Sequence, residues 1–354
     1  MVRSASPPLR RLLLPPLFEQ FVQSQSSLVC RSHKRKMSAM AQPIPGKFVP
    51  LESSQHTEES SSDGFKFRLV SYNILAQVYV KSAYFPHSPS SCLKWKARSQ
   101  AVLTELRNFG ADILCIQELD EYESFYKKNM ETLGYSSAYI QRTGEKRDGC
   151  GIFYKPSSAE LILKEEIHYN DLVNSVDITE KGNNSTAETC TVLAEKKMTL
   201  LSPIVVANTH IYWDPDWIDV KLAQAKYLLS RLLQFRGHVS SEFSCIPPVI
   251  VAGDFNSTPG DEVYNYIVSS GEAPIKLYSL YAANGGEPPF TNCTPDFTGT
   301  LDYIFLSDGG RLKPLSLLDI PGPDSTDVIG GLPNHQHPSD HLPIGADFKV
   351  LRTA

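Results

Sequence analysis

The chain has 354 residues, 41% of them hydrophobic and 21% charged, the proportions of a globular protein able to bury a large core in one or two domains. No run of about 18 apolar residues occurs, so no membrane span is expected. The net charge of −5 is unevenly spread: residues 1–40 hold seven Lys/Arg and only one acid, Glu19, which leaves 27 basic and 38 acidic residues in the remainder. That acidity excludes a global basic footprint for nucleic acid, so a polyanionic substrate would need bound cations and a local Lys/Arg patch.

In chain order, residues 1–64 form a Ser-, Pro- and Arg-bearing segment ending in a linker (LESSQHTEESSSDG), with the folded domain expected over 65–354. The first forty residues have the composition of an organellar transit peptide, which makes mitochondrion or plastid an alternative to cytoplasm and nucleus. Seven cysteines with no CxxC pair suit reduced thiols in an intracellular protein. Phe67–Tyr72 alternates and predicts a strand. Trp95–Phe109 has Ala97, Ala101, Leu103 and Leu106 at helical spacing and stops at Gly110. Ile113–Ile116 predicts a buried strand and Tyr122–Leu133 a helix ending at Gly134. Gly151–Tyr154 and Cys190–Glu195 predict strands separated by an irregular, polar stretch over 170–189. Ile204–Asn208 predicts a strand, Asp216–Phe235 a long helix, Val249–Ala252 a strand and Asp261–Val268 a helix. Leu301–Leu306 and Ile344–Val350 are the last predicted strands. Strands interspersed with helices imply an α/β protein with sheet packed on sheet.

Four apolar strand runs end in a polar residue of metal- or phosphate-binding type. LVSYN ends at Asn73, ADILCIQE at Glu118, IVVANTH at His210, and VIVAGDFN at Asp254 and Asn256. Side chains at strand ends sit on rigid backbone within reach of solvent. LDYIF, with Asp302, and SDH, with Asp340 and His341, fit the same pocket. Carboxylate oxygens suit Mg²⁺, with Mn²⁺ a substitute of overlapping preference. Asn and His donate to phosphate oxygens as charge develops. Walker, GxGxxG and GxSxG motifs are absent. His335 and His337, with His341, raise a zinc site, but no matching Cys or His cluster supports it.

The segments YNILAQ (72–77), CIQELD (115–120), DGCGIFY (148–154), NTHIYWDP (208–215), GDFNSTP (253–259), LDYIF (301–305) and SDHLP (339–343) resemble the endonuclease/exonuclease/phosphatase superfamily. Within it they resemble the deadenylase branch, and most nearly its short, nocturnin-like plant homologues of carbon catabolite repressor protein four. The resemblance implies a four-layer α/β sandwich, two mixed β-sheets flanked by helices, as in deoxyribonuclease I. It implies Glu118 as the principal Mg²⁺ ligand with Asn73 beside it and Asp340 near the metal. By the same resemblance His210 contacts the scissile phosphate, Asp254 positions the attacking water and helps hold a second metal, Asn256 steadies the phosphate, and Asp302 orients His341. Pro215 and Phe297 match positions that sandwich an adenine, and Arg147 could meet phosphate. Gly151 stands where alanine is commoner.

The resemblance thus implies a Mg²⁺-dependent 3′–5′ exoribonuclease acting on poly(A) RNA. The alternatives are an NADP(H) 2′-phosphatase and a catalytically inactive RNA-binding scaffold. Residues 1–64 are too short and polar for the leucine-rich repeats by which large family members join a deadenylase complex, so direct docking onto its components is not expected.

Overall fold

The computed structural model describes residues 43, 45–52, 64–174, 187–194, 203–269 and 271–351. The expected targeting segment, most of the linker and residues 175–186 lie outside them. The elements are β1 (Phe48–Pro50), β2 (Gly64–Asn73), α1 (Trp95–Asn108), β3 (Ile113–Gln117), a π-helical turn (Tyr122–Tyr126) leading into α2 (Lys127–Thr132), β4 (Ser136–Gln141), β5 (Gly149–Tyr154) and β6 (Glu160–His168). They continue with β7 (Ala187–Ala194), β8 (Ile204–His210), α3 (Ile218–Phe243), β9 (Val249–Asp254), α4 (Glu262–Val268), β10 (Leu277–Ser279), β11 (Asn292–Cys293), β12 (Thr298–Gly299), β13 (Asp302–Ser307), β14 (Leu312–Leu318) and β15 (Ile344–Leu351).

One sheet has seven strands, ordered β1-β14-β15-β2-β3-β5-β4, and the other six, ordered β10-β13-β9-β8-β7-β6. The pairs β2–β3 and β8–β9 are parallel, whereas their outer neighbours run antiparallel, so both sheets are mixed. Residues of successive strand positions belong to different cores. Leu69, Ile113, Cys115, Val206, Ile250 and Ile304 meet between the sheets. Val70, Leu114 and Ile116 pack under Val102 and Leu106 of α1. Val205, Val251 and Phe305 pack under Leu228, Leu232 of α3 and Val263 of α4. A strand covered on both faces reads as an unbroken apolar run, because both parities of its period-two pattern are buried. The result is the four-layer α/β sandwich, helices on the outside of two packed sheets.

The seven-stranded sheet reaches further toward the N-terminus than the expected start at Phe65. Phe48–Pro50 pairs with Leu318–Ser316, and the Arg68 guanidinium lies 3.7 Å from the Phe48 ring centroid. Three residues beside prolines carry no periodicity from which to read a strand. Strands β4 and β6 also lie outside the predicted set. Both are sheet edges, where one side lacks a covering strand and the apolar run is broken. Strand β14 contains Pro314 at a register shift, which breaks its pattern too. Helix α3 runs on from Phe235 to Phe243 because Val239 continues its buried stripe. It stops where Ser244 turns left-handed.

Helix α1 buries a different face from the one expected. Arg98, Ser99, Val102, Glu105 and Leu106 point inward, while Ala97, Ala101 and Leu103 are only partly covered. Two charged residues on the covered side disguised that face. Glu105 accepts a hydrogen bond from Tyr72 Oη at 2.9 Å, and its carboxyl is pushed up to about 8 by burial, against the lowering pull of that bond and of Arg98. Between the ordinary carboxylate range and about pH 8 the folded protein therefore holds a proton that the unfolded chain has released. Stability is present in full at acid pH and falls as pH rises through that window. The variant Glu105→Gln should flatten this slope: its stability relative to wild type, measured by urea denaturation, shifts in its favour by more than about 1 kcal/mol between pH 5 and pH 8.5. An unchanged difference would contradict the assignment.

Candidate active site

In β8, β9 and β13 the even-numbered residues face the other sheet, as Val206, Ile250, Ala252, Ile304 and Leu306 show. Continued to the strand ends, the same parity turns His210, Asp254 and Asp302 inward. The register sets them abreast, with His210 opposite Asp254 and Asp254 opposite Asp302. In β2 and β3 the odd positions face inward, which brings Ser71, Asn73 and Gln117 to the same gap, with Asn73 opposite Gln117. The space between the sheets thus changes from apolar to neutral polar to ionisable toward one end.

Amide side chains bridge that gap. Gln117 Nε2 donates to Asn208 Oδ1 at 2.7 Å, and Asn208 Nδ2 donates across the sheets to the carbonyls of Ile116 at 3.0 Å and Gly151 at 2.9 Å. Asn73 Nδ2 donates both to Glu118 Oε1 and to Asp254 Oδ2, each at 3.0 Å. Its Oδ1 accepts the Leu75 amide at 3.0 Å, which fixes the orientation of the amide. Asn73 therefore stands as the link between Glu118 and Asp254, with its oxygen engaged by backbone.

The chain turns sharply just beyond these strands. Leu75, Glu118 and Asn256 have φ of 56°, 51° and 47°. Such left-handed non-glycine conformations cost about 1–3 kcal/mol each and persist only where surrounding contacts enforce them. The Ala76 amide donates to Glu118 Oε2 at 2.9 Å, and the Asn256 amide to Asp254 Oδ1 at 2.9 Å. Asn256 Nδ2 donates to the Ile211 carbonyl at 2.9 Å, and Lys221 Nζ, from α3, to the Asn256 carbonyl at 2.9 Å. Gly253, opposite Thr209, lies so close to β8 that a Cβ there would stand 2.0 Å from the Thr209 oxygen, so only glycine allows the register that sets His210 against Asp254.

His341 comes from the turn preceding β15. Its Nδ1 lies 2.7 Å from Asp302 Oδ2, and its Nε2 lies 3.6 Å from Asp254 Oδ2. Thr291 Oγ1 donates to the same Asp302 oxygen at 2.6 Å. Burial alone would lower the imidazole of His341, but the Asp302 and Asp254 carboxylates together with the Asp302 hydrogen bond outweigh it and hold the group well above the ordinary histidine range. His210 Nε2 is 3.6 Å from Asp254 Oδ2, yet burial dominates there and brings its imidazole down to about 4. Two histidines flanking one carboxylate are thereby driven apart, one neutral and one charged. Asp254 itself is raised by burial and by Asp302.

Glu118 is pushed up to about 7 by burial, then by the negative charges of Asp340 and Asp148. Asp340 is partly exposed beside it on the 339–341 turn. Asp302 Oδ1 is buried and lacks a hydrogen-bond donor. Crowded carboxylates with an unanswered oxygen, presenting hard oxygen atoms, fit a divalent cation of the Mg²⁺ or Mn²⁺ kind. Asp254, Asp302 and His341 also have ligand atoms within 4.8 Å of one another. There the short His341–Asp302 contact already occupies one nitrogen and one oxygen. The zinc reading of the HQHPSDH run finds no support, because its histidines diverge. His337 Nε2 bonds Asp327 Oδ2 at 3.0 Å, and His335 reaches Ser91 at 3.4 Å.

The remaining expected residues lie around this centre. Arg147 is exposed on the loop between β4 and β5. The arginine that points inward is Arg142, whose Nη1 pairs with buried Asp148 at 3.0 Å, while Tyr79 Oη donates to Asp148 at 2.8 Å. Arg147, expected to meet phosphate, keeps its side chain on the surface. The turn between Gln141 and Asp148 instead folds Arg142 back onto the aspartate. Phe297 is 42% exposed on the β11–β12 loop. A Cβ on Gly299 would lie 2.9 Å from the Phe297 ring and 3.5 Å from Thr258 Cγ2, which sets the ring beside the loop that follows Asn256. Pro215 is exposed two residues beyond Trp213, itself 59% exposed.

Comparison with known proteins agrees with this architecture. The endonuclease/exonuclease/phosphatase family model matches residues 70–341. The chain is 55% identical over 328 residues to carbon catabolite repressor protein 4 homolog 4 of Arabidopsis thaliana, covering 82% of this chain and 79% of that protein. It is 30% identical over 349 residues to the CCR4-Not complex 3′-5′-exoribonuclease subunit Ccr4 of Schizosaccharomyces pombe, covering 82% of this chain but about half (50%) of that subunit. Among solved structures, ANGEL2, a 2′,3′-cyclic phosphatase, superposes with a TM-score of 0.70 at 26% identity, covering 86% of this chain and 98% of that one. The human nocturnin catalytic domain with bound sulfate superposes with a TM-score of 0.62 at 27% identity, covering 86% and 96%. The chain belongs to the endonuclease/exonuclease/phosphatase family.

Proposed function

We propose that the chain is a Mg²⁺-dependent 3′–5′ exoribonuclease that shortens poly(A) tails and releases 5′-AMP. The observation that carries this reading is the Asn73 amide joining Glu118 to Asp254, which gathers acid groups of both sheets beside His210 and His341. Glu118 and Asp340 are the proposed cation ligands, with Asp254 available to a second ion and Asn73 placed to hold the two acids in register. A bound divalent cation would neutralise phosphate oxygens and help ionise the attacking water.

Asp254 orients that water as hydrogen-bond acceptor. His210, neutral at working pH, donates to a phosphate oxygen without adding charge, and His341, kept protonated by Asp302, meets the charge that develops there. Asn256 steadies the phosphate. In-line attack breaks the terminal P–O3′ bond, leaves a 3′-hydroxyl on the shortened RNA and frees 5′-AMP. RNA is favoured over a dinucleotide by the exposed ring of Phe297 beside the site, with Pro215 as the opposing surface. Stacking on an aromatic face contributes about 1–3 kcal/mol per base. The Ccr4 relatives support the same substrate class. Cytoplasm is the compartment this reading assigns, and RNA the direct partner.

The second reading is a phosphatase acting on NADP(H) or on a 2′,3′-cyclic phosphate, supported by the nocturnin and ANGEL2 likeness. Buried Arg142 is the feature that would serve it, but Asp148 already balances that charge. Purified protein with Mg²⁺ should degrade an RNA ending in adenosines to a ladder with release of AMP. Phosphate released from NADPH or from a cyclic end, with the RNA untouched, would overturn the exonuclease reading.

Two variants probe the roles. Glu118→Gln should lower kcat/KM by roughly a thousandfold, about 4 kcal/mol, with the melting temperature close to wild type. Turnover near wild type would refute the ligand role. In metal-free protein, NMR titration should find His341 protonated above the usual histidine range, and Asp302→Asn should bring its titration down. That variant should also lose about 10²–10⁴ in kcat. A His341 titration indifferent to Asp302→Asn would contradict the pairing.

A further inference from the structure

Arg98 sits on the covered face of α1, 2% exposed. Among the described residues no carboxylate forms a close ion pair with it, although Glu105 and Asp120 lie near enough to feel its charge. Its hydrogen bonds go to loop backbone and one amide instead. Nε donates to the Pro338 carbonyl at 2.7 Å, Nη1 to Gln77 Oε1 at 3.0 Å, and Nη2 to the carbonyls of Ile74 and Leu75, both at 2.6 Å. The planar fork of an arginine spans two segments in a way that a single ammonium cannot.

Both segments lead into residues of the site. The first, Ile74–Gln77, includes the Ala76 amide that holds Glu118 Oε2 and the Leu75 amide that holds Asn73 Oδ1. The second, at Pro338, leads directly into Ser339, Asp340 and His341. Ser339 Oγ donates to the Asn73 carbonyl at 2.7 Å and receives the His341 amide at 3.2 Å, so a second tie runs parallel to the arginine. We propose that Arg98 is a positioning residue of the active site: it sets the turn that holds Glu118 against the turn that carries Asp340 and His341. Arg98 touches neither substrate nor cation and acts only through these turns. The inference rests on the reading of Glu118 and Asp340 as cation ligands.

The test compares Arg98→Ala and Arg98→Lys with Val102→Ala, which removes core volume one turn further along the same helix face. Mn²⁺ affinity is read by calorimetry on metal-free protein, alongside melting temperature and the kinetics of oligoadenylate hydrolysis. Loss of outer-shell support weakens metal affinity or activity by about 10–100-fold. Arg98→Ala should therefore bind Mn²⁺ at least about tenfold more weakly and lose kcat by a similar factor while KM moves less than about threefold. Arg98→Lys should recover part of both. Val102→Ala should lower the melting temperature yet keep both Mn²⁺ affinity and kcat within about twofold, since its side chain is apolar and makes no hydrogen bond to either turn. Unchanged Mn²⁺ affinity in folded Arg98→Ala overturns the proposal, as does an equal weakening in Val102→Ala. Should Arg98→Ala fail to fold, Arg98→Lys decides by the same criterion. Because Mn²⁺ binding needs no RNA, wild-type protein that binds the ion but spares oligoadenylate sinks the proposed substrate and leaves this inference standing.

Discussion

Two buried amides, Asn208 and Asn73, hold the sheets at the separation on which the site depends. Elsewhere the gap is filled by apolar side chains, whose attraction has no preferred direction. At the catalytic end Asn208 reaches three partners on the opposite sheet, and Asn73 holds one acid of its own sheet and one of the other. Hydrogen bonds have direction, and buried ones are costly to leave unmade. The sheets are therefore pinned in register where register matters for chemistry.

The same arrangement stores unfavourable energy. Carboxylates at Asp254, Asp302, Glu118, Asp340 and Asp148 are crowded: burial and then Asp340 and Asp148 shift Glu118 upward, and burial and then Asp302 shift Asp254 upward. Three strand ends leave in left-handed conformation at non-glycine residues. Such terms oppose folding and are offset by the three apolar cores around them. A cation placed among the acids would relieve the repulsion, so the site is prepared for positive charge before any ligand arrives. The two histidines add a second division: burial keeps His210 neutral, and a short contact with Asp302 keeps His341 charged.

Much of this was legible in the sequence, for a physical reason. Central strands covered on both faces are apolar along most of their length, so a ligand-type side chain closing such a run stands out. That signal pointed to Asn73, Glu118, His210 and Asp254, and the structure brings all four together. Edge strands β4 and β6 lacked it because one side has no neighbour. Arg98 and Glu105 were hidden because charged residues on a helix normally mark the solvent side, and both occupy the covered side of α1. Arg142 carried no signal of its own, since only the closed turn between β4 and β5 shows that it folds back to Asp148, whereas Arg147 stays exposed. Gln117 and Asn208, neutral and inside strands, gave no hint that they join two sheets.

On the proposed function, the acids at this end of the sandwich share a divalent cation. Crystals soaked in Mn²⁺ would test it through anomalous scattering at the manganese edge. A peak is expected beside the Glu118 carboxylate, between the 74–77 and 339–341 turns, and should be lost in Glu118→Gln. A map without density there, or with its only peak elsewhere on the protein, would contradict it.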